Sequence, residues 1–523
     1  MNRIYPILLL CLIVPLSSGC AEDGTGPSED QTPLVEFRIP DTEQEICYGN
    51  SAEISCPAEG ESFYGQDSQY VGPLASYQNN GNGTVTDLNT GLMWQQNPGT
   101  KMSLPQALTL LESFDLAGYD DWRLPSIKEL YSLILFNGTD PSGFEGEDTS
   151  ELTPFIDTDY FIFEYGDTQA GERIIDSQYL SSNLYVDTTM HGDETAFGVN
   201  FADGRIKGYG LTDPQSGGDK TFFVQFVRGE MVYGLNDFED NNDGTITDQA
   251  SGLMWMKQDS GHLGAGDDAD GALNWEQALD WAENLDYGGF SDWRLPNAKE
   301  LQAIVDYSRS PATDGTAAID PVFDSSTIIQ SGGGSDFPFY WTSTTHANFL
   351  GFGDYAAYIA FGTGYGFMEF PPGSGNYELL DVHGAGCQRS DPKEGDPADF
   401  PYGHGPQGDV VRIYNHVRCV RDAGMSSAAG ETPSASFEVV ELAAYPNPFN
   451  PQVELSFTLL RESHVELSIY DVSGKRVEVL RDETLREGEH RVIWNSDSSA
   501  SGLYLARLKT EAGAATCKLL LSK

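Results

Sequence analysis

Basic residues are scarce in this chain. Its 523 residues hold 29 Lys and Arg against 80 Asp and Glu, a formal charge of −51. Such a balance disfavours nucleic acid, heparin-like polyanions and anionic lipid as partners. Long apolar runs are missing as well. The apolar stretch at residues 4–16 is shorter than the ~20 residues a membrane span needs. The eight histidines form no His-Glu-x-x-His or His-x-His pair, and the seven cysteines form no Cys-x-x-Cys. The common zinc patterns are therefore absent. No Gly-x-Ser-x-Gly elbow or phosphate loop appears either, so the chain reads as non-enzymatic.

What is present is duplication. Gly83-Thr-Val-Thr-Asp-Leu-Asn-Thr-Gly-Leu-Met-Trp94 returns as Gly244-Thr-Ile-Thr-Asp-Gln-Ala-Ser-Gly-Leu-Met-Trp255. Asp121-Trp-Arg-Leu-Pro-Ser-Ile-Lys-Glu-Leu130 returns as Asp292-Trp-Arg-Leu-Pro-Asn-Ala-Lys-Glu-Leu301. So long a period indicates two tandem domains, residues 78–229 and 235–423, each long enough to bury its own core. Each opens on a hairpin signal, Asn82-Gly83 or Asp243-Gly244. Capping boxes then announce helices after Ser103 and Asn274, and again at 127–135 and 298–307 behind the N-caps Ser126 and Asn297. The back half of each repeat is Gly-, Ser- and aromatic-rich, with short strand signals and long loops. That is an α+β plan. Residues 424–436 are a linker by composition. The remainder, 437–523, carries evenly spaced strand signals of a small immunoglobulin-like β-sandwich. It is nearly neutral, with 13 acidic against 10 basic residues.

The N-terminus is a targeting segment, with Arg3 ahead of the apolar stretch. Leu16-Ser-Ser-Gly-Cys20 resembles the lipobox of bacterial lipoproteins, which implies lipidation at Cys20. An ordinary secretory signal over residues 1–20 is the alternative. Residues 21–45 would then be a flexible tether and 46–77 a lead-in. Export implies an oxidising compartment, so cysteines read as disulfides: Cys47 with Cys56, and Cys387 with Cys419. Phe226 stands where Cys419 stands, so the first repeat lacks the second bridge. Cys517 is left over.

Calcium is the one ion the acidic loops suggest. Asp240 and Asp243 lie in Glu239-Asp-Asn-Asn-Asp-Gly-Thr-Ile-Thr-Asp248, but the twelfth position is Ala250, where a bidentate carboxylate is needed. Asp267, Asp268 and Asp270 form a second oxygen-rich loop, equally readable as a solvated insertion. No cofactor is otherwise implied. Trp94, Trp255, Trp122 and Trp293 recur beside Leu and Met and read as core. Arg123 and Arg294 read as partners of a local acid or of backbone, holding the loop before the second helix. Recognition is expected on the loops of the second repeat's back half, where Tyr340, Trp341, Tyr355, Tyr358 and Tyr365 gather. Such rings suit sugar faces or a protein partner.

The paired blocks, with the closing Val417-Arg-Cys-Val-Arg421, resemble the Lcl C-terminal domain family, over about residues 78–229 and 235–423. The resemblance implies two C-type-lectin-like domains. It also implies adhesion of the family's kind, to sulfated polysaccharide, from which this chain departs in its acidity and its lack of a collagen-like tract. Tyr445-Pro-Asn-Pro-Phe-Asn-Pro451, Ile469-Tyr-Asp-Val-Ser-Gly-Lys475 and Ser501-Gly-Leu-Tyr-Leu-Ala506 resemble a type IX secretion sorting domain. That implies contact with the secretion machinery and transit across the bacterial outer membrane. The resulting expectation is a surface-displayed or secreted adhesin for an extracellular glycan or protein. Two alternatives stand beside it. One is a structural cell-envelope lipoprotein, periplasmic if Cys20 anchors it there. The other is an enzyme of the sulfatase-modifying type, which shares the lectin-like fold and uses reactive cysteine.

Overall fold

The computed structural model describes residues 34–424 apart from 147, 215 and 331, then 426–427, and 442–523 apart from 460, 462, 472–475, 497 and 511–512. The signal segment, Cys20 and most of the linker lie outside the described residues.

Local sequence does what it announces at the helix starts. Ser126 accepts from the Glu129 N–H and Asn297 from that of Glu300, and each Glu returns a bond to the cap's own N–H. The helices that follow are short. Ile127–Ser132 and Ala298–Ala303 stop four residues or so before their expected ends. Tertiary partners capture the next backbone groups. The N–H groups of Leu135 and Phe136 donate to Phe155 and Thr42, and that of Asp306 donates to Ala318. Each bond is non-local and ends the helix where it forms.

The expected α+β, C-type-lectin-like plan is therefore corrected. Among the described residues there are five α-helices, the longest Trp275–Glu283, set against 29 strands in several small sheets. The protein is β-rich. The back halves, expected as short strands among long loops, are the main source. They form Gln178–Thr189, Asp193–Asn200 and Arg205–Gly210 in the first repeat, and Phe339–His346, Tyr355–Ala360 and Gln388–Pro392 in the second.

The repeats correspond in their main sheets. Each has a four-stranded antiparallel sheet. The first is ordered Val227–Arg228, Met93–Gln95, Thr84–Asp87, Tyr77–Asn79, and the second Val420–Asp422, Leu253–Met256, Thr245–Asp248, Phe238–Asp240. Trp94 and Trp255 are both fully buried in one central cluster. Trp122 and Trp293 each sit in an outer cluster of their own repeat.

The repeats are not separate bodies. Their three-stranded back sheets join edge to edge, with Ile206 opposite Gln388, into one antiparallel six-stranded sheet. The strand order is palindromic about that seam, as a two-fold relation between copies requires. The central core takes Leu130, Tyr131, Ile134 and Phe197 from one repeat and Leu301, Ile304 and Tyr307 from the other. On the seam's polar side Arg205 pairs within its own repeat, with Asp140 at 2.7 Å and Asp203 at 3.3 Å, and His346 of the second repeat crosses the seam, its Nε2 lying 2.9 Å from the Asp203 carbonyl.

The lead-in straps the second repeat as well as the first that it precedes: Leu74 and Ser76 accept from Asn89 and Leu88. Gln44 exchanges hydrogen bonds with the Thr345 backbone, and Lys393 donates to the Gly49 carbonyl. Residues 36–45, expected within a flexible tether, are thus packed, with Phe37 and Thr42 buried.

Asp67 closes this strap, accepting from the Thr42 and Thr344 hydroxyls. Burial, outweighing those bonds, pushes its carboxyl up to about 7, against ~3.9 when unfolded. Between those values the folded protein holds a proton that the unfolded chain has released. Stability should therefore fall as pH rises through the window, with the penalty complete above it. Asp67→Asn is expected to flatten this part of the profile and to exceed wild type at pH ~8. Urea midpoints of both proteins at acidic and alkaline pH check this; parallel profiles would contradict it.

Residues 442–523 form two antiparallel sheets, of three and four strands, about one cluster that includes Leu455, Phe457, Leu467, Ile469 and Trp494. Every strand signalled by the sequence is present and longer than signalled.

Candidate ligand-binding surface

The residues shared by the repeats are occupied in holding the frame. Arg123 forms a two-pronged pair with Glu129 at 2.5 and 2.6 Å, and Arg294 does the same with Glu300 at 2.6 and 2.7 Å. One carboxylate thus closes the helix cap and neutralises the guanidinium. The same two arginines pair by backbone with Val227 and Val420 of the closing strands. Asp121 binds Arg228 and Asp292 binds Arg421, each at 2.6 Å. The Trp122 and Trp293 indoles donate to the carbonyls of Leu116 and Tyr287.

The acidic loops are turn locks. Asp243 accepts from the Thr245 N–H and hydroxyl. Asn82, its counterpart, accepts the same two bonds from Thr84. An uncharged residue fills the role equally well, which is why no bidentate ligand follows. Asp240 pairs with Lys257 at 2.6 Å, Asp270 caps the Ala272 N–H, and Asp267 and Asp268 are exposed. Among the described residues no three His, Cys, Asp or Glu side chains are grouped to hold a metal ion.

The cysteine expectation divides. Cys47 and Cys56 are bridged, with Cα atoms 5.1 Å apart. Cys387 and Cys419 are not; both are free, buried thiols in the second repeat's outer core. They act as small apolar side chains beside Trp341 and Val417, which explains why Phe226 replaces Cys419 in the first repeat. Burial pushes the Cys387 thiol up to about 12 and raises that of Cys419. In the folded protein neither should react with a thiol reagent, whereas denaturant without reductant should make both react. Labelling followed by peptide mapping checks this, and silence in denaturant would restore the bridge.

The aromatic expectation is corrected further. Tyr340 and Trp341 are 0% exposed and Tyr358 is 3% exposed. They lie on strands of the six-stranded sheet, Tyr340 facing the central cluster and Trp341 and Tyr358 the second repeat's outer cluster. The Trp341 indole donates to the Leu273 carbonyl and the Tyr340 hydroxyl to Asp259, while Tyr358 stacks on Phe339 with ring centres 4.5 Å apart. The unbroken run Phe339-Tyr-Trp was the available signal, since a strand covered on both faces shows no polar alternation. Tyr355 and Tyr365 are half-buried.

One group of exposed rings lies at an insert. The first repeat turns from Asn200 to Arg205 in a tight loop. The second runs from Ala360 to Gln388 through an extra hairpin, Tyr365–Glu369 with Tyr377–Asp381. Tyr377 stacks on Tyr402 with ring centres 3.9 Å apart and planes 15° apart. Tyr377 is 42% exposed and Tyr402 52%. Phe367 meets Tyr402 edge-on, and Phe370 meets His191 of the first repeat. Glu369 pins the turn by accepting from the N–H groups of Gly373 and Gly375. Asp381 ties the base to the first repeat: its carboxylate accepts from the Tyr185 hydroxyl and its carbonyl from the Met190 N–H. Sequence reading missed Tyr377 and Tyr402; their only signal was Gly- and Pro-rich flanks around a segment without a first-repeat counterpart.

Asp259, His262 and Ser326 gather nearby, but not as a relay. Ser326 donates to Asp259 at 2.6 Å, and both groups meet the same His262 nitrogen, Nδ1, at 3.0 and 2.8 Å. A nucleophile and its orienting acid belong on opposite ring nitrogens. Burial works against the Asp259 charge, yet Arg418 and these hydrogen bonds hold its carboxyl well below the usual range.

Comparison with known proteins also finds two copies and a separate tail. Residues 83–228 and 244–380 each match the Lcl C-terminal domain, and residues 443–522 match the secretion system C-terminal sorting domain. No curated protein matches the chain. The type IX sorting tail supports an extracellular or cell-surface bacterial protein and implies contact with the secretion machinery. Two matched copies, fused through one sheet and one core, place this chain in the Lcl C-terminal domain family, ahead of a type IX sorting tail.

Proposed function

We propose that this is a non-enzymatic binding protein, displayed on or released from the cell surface, whose ligand is an extracellular glycan. One observation carries the reading. The side chains common to both repeats are committed to the frame, and at the second repeat's insert two exposed rings stack on each other, Tyr377 of the insert on Tyr402 of a following loop. Recognition on a loop held by a rigid scaffold follows that division. The second repeat bears the rings, and the first buttresses them through Tyr185, Met190 and His191, which gives the duplication a use. A sulfatase-modifying chemistry finds little support, because a reactive thiol needs a depressed pKa and both body thiols are raised.

Saturable binding on a glycan array, with and without added Ca²⁺, tests the reading. Binding to no glycan but to a defined extracellular protein would move the ligand class, which the tyrosine-rich insert also suits. No saturable ligand of either kind would favour a structural envelope component. Mass spectrometry of the mature chain addresses location: a diacylated Cys20 with an intact Lys523, on cells whose surface resists protease shaving, would place the protein in the periplasm.

A further inference from the structure

We propose that the Tyr377–Tyr402 stack is a platform for the apolar face of an uncharged pyranose ring; this rests on the glycan reading and names the site and the sugar class. Each ring lends one face to the other, so the exposed area lies on the outer faces and edges. A sugar's C–H face packs on such a surface, while its hydroxyls need polar neighbours. Asn376, beside Tyr377, is exposed.

Three observations separate this stack from incidental surface. First, the two rings pack face to face while remaining 42% and 52% exposed, outside the hydrophobic clusters. Second, the hairpin is held at both ends, by Glu369 across its turn and by Tyr185 and Met190 at its base. A pre-ordered platform loses little entropy on binding. Third, charge selects the ligand. Residues 361–387 and 396–409 contain no Lys or Arg, whereas Glu369, Glu378, Asp396 and Asp399 are all present. A sulfated or uronic-acid chain would meet carboxylates on segments without Lys or Arg, Glu378 having the His191 imidazole beside it at 3.9 Å, on a chain whose charge is −51. An uncharged chain meets no such penalty.

Affinity electrophoresis of the full chain in gels containing laminarin, hydroxyethylcellulose or xyloglucan, with dextran sulfate as the anionic comparison, tests this. Retardation is expected in at least one neutral gel and not in dextran sulfate. Tyr402→Ala should weaken that retardation about tenfold or more. Tyr402→Phe should retain it, because stacking needs the ring and not the hydroxyl, and its retention also shows that the hairpin is intact. Tyr414→Ala, at another exposed tyrosine (43% exposed), should match wild type. Glycan-array binding that survives Tyr402→Ala and Tyr377→Ala would overturn the site while leaving the glycan reading in place. Preference for dextran sulfate would overturn the sugar class. Absence of binding to every glycan would overturn both.

Discussion

Expressed apart, residues 78–229 and 235–423 should each fail to show a cooperative unfolding transition, and co-expression should restore one. Separation bares the strand edges at Arg205–Gly210 and Gln388–Pro392 and opens the cluster shared by Leu130, Tyr131, Phe197, Leu301 and Tyr307. Phe197 and Tyr307 alone meet with ring centres 4.8 Å apart. Exposing three such side chains in the first half and two in the second, at about 1.5–3 kcal/mol each, removes much of the ~5–15 kcal/mol that stabilises a typical domain. Separation also strips buried polar groups. Lys299 loses the Ser132 carbonyl, and the Asp140 N–H loses the Ala347 carbonyl. Circular dichroism melts of each half and of the co-expressed pair decide the matter. Two independent, sharp transitions would mean that the seam is incidental.

Arg123→Met should destabilise the protein by about 3–5 kcal/mol, because it strands a buried carboxylate. The Arg123 and Glu129 side chains are 4% and 2% exposed, against 13% and 10% for the Arg294–Glu300 pair. The equivalent change at Arg294 should therefore cost less. Replacing Arg123 and Glu129 together with Met and Leu removes the stranded charge, leaving mainly the lost cap at about 1 kcal/mol. Denaturant midpoints at constant m-value compare the three variants. A single-variant cost below about 1 kcal/mol would show that the pair does not organise the motif.

Much of the frame was legible because its determinants are short-range. A cap bonds three residues ahead, Arg123 reaches six residues to Glu129, and a turn lock such as Asp243 reaches two. Interactions of that span leave their spacing in the sequence, and duplication repeats the spacing so that it is read twice. The same logic served Trp94 and Trp255, whose neighbours Leu and Met announce burial.

The platform was not legible, and the reason is the reverse. Tyr340 and Tyr377 are the same residue type in the same kind of neighbourhood. One is buried because its strand lies within a sheet covered on both faces, and the other is exposed because its hairpin lies outside that sheet.

By itself the sequence determined the duplication, the helix starts, the motif ion pairs, the Cys47–Cys56 bridge and the two-sheet tail, all through contacts close along the chain or patterns recurring within it. Tertiary structure alone decided four things. It set the β-rich balance, by pairing the back halves of both repeats into one six-stranded sheet. It fused the repeats, by pairing Ile206 with Gln388 across 182 residues. It left Cys387 and Cys419 as unbridged thiols, and it chose which tyrosines face water. Each depends on which distant segment arrives alongside, and a single chain carries no local mark of that arrival.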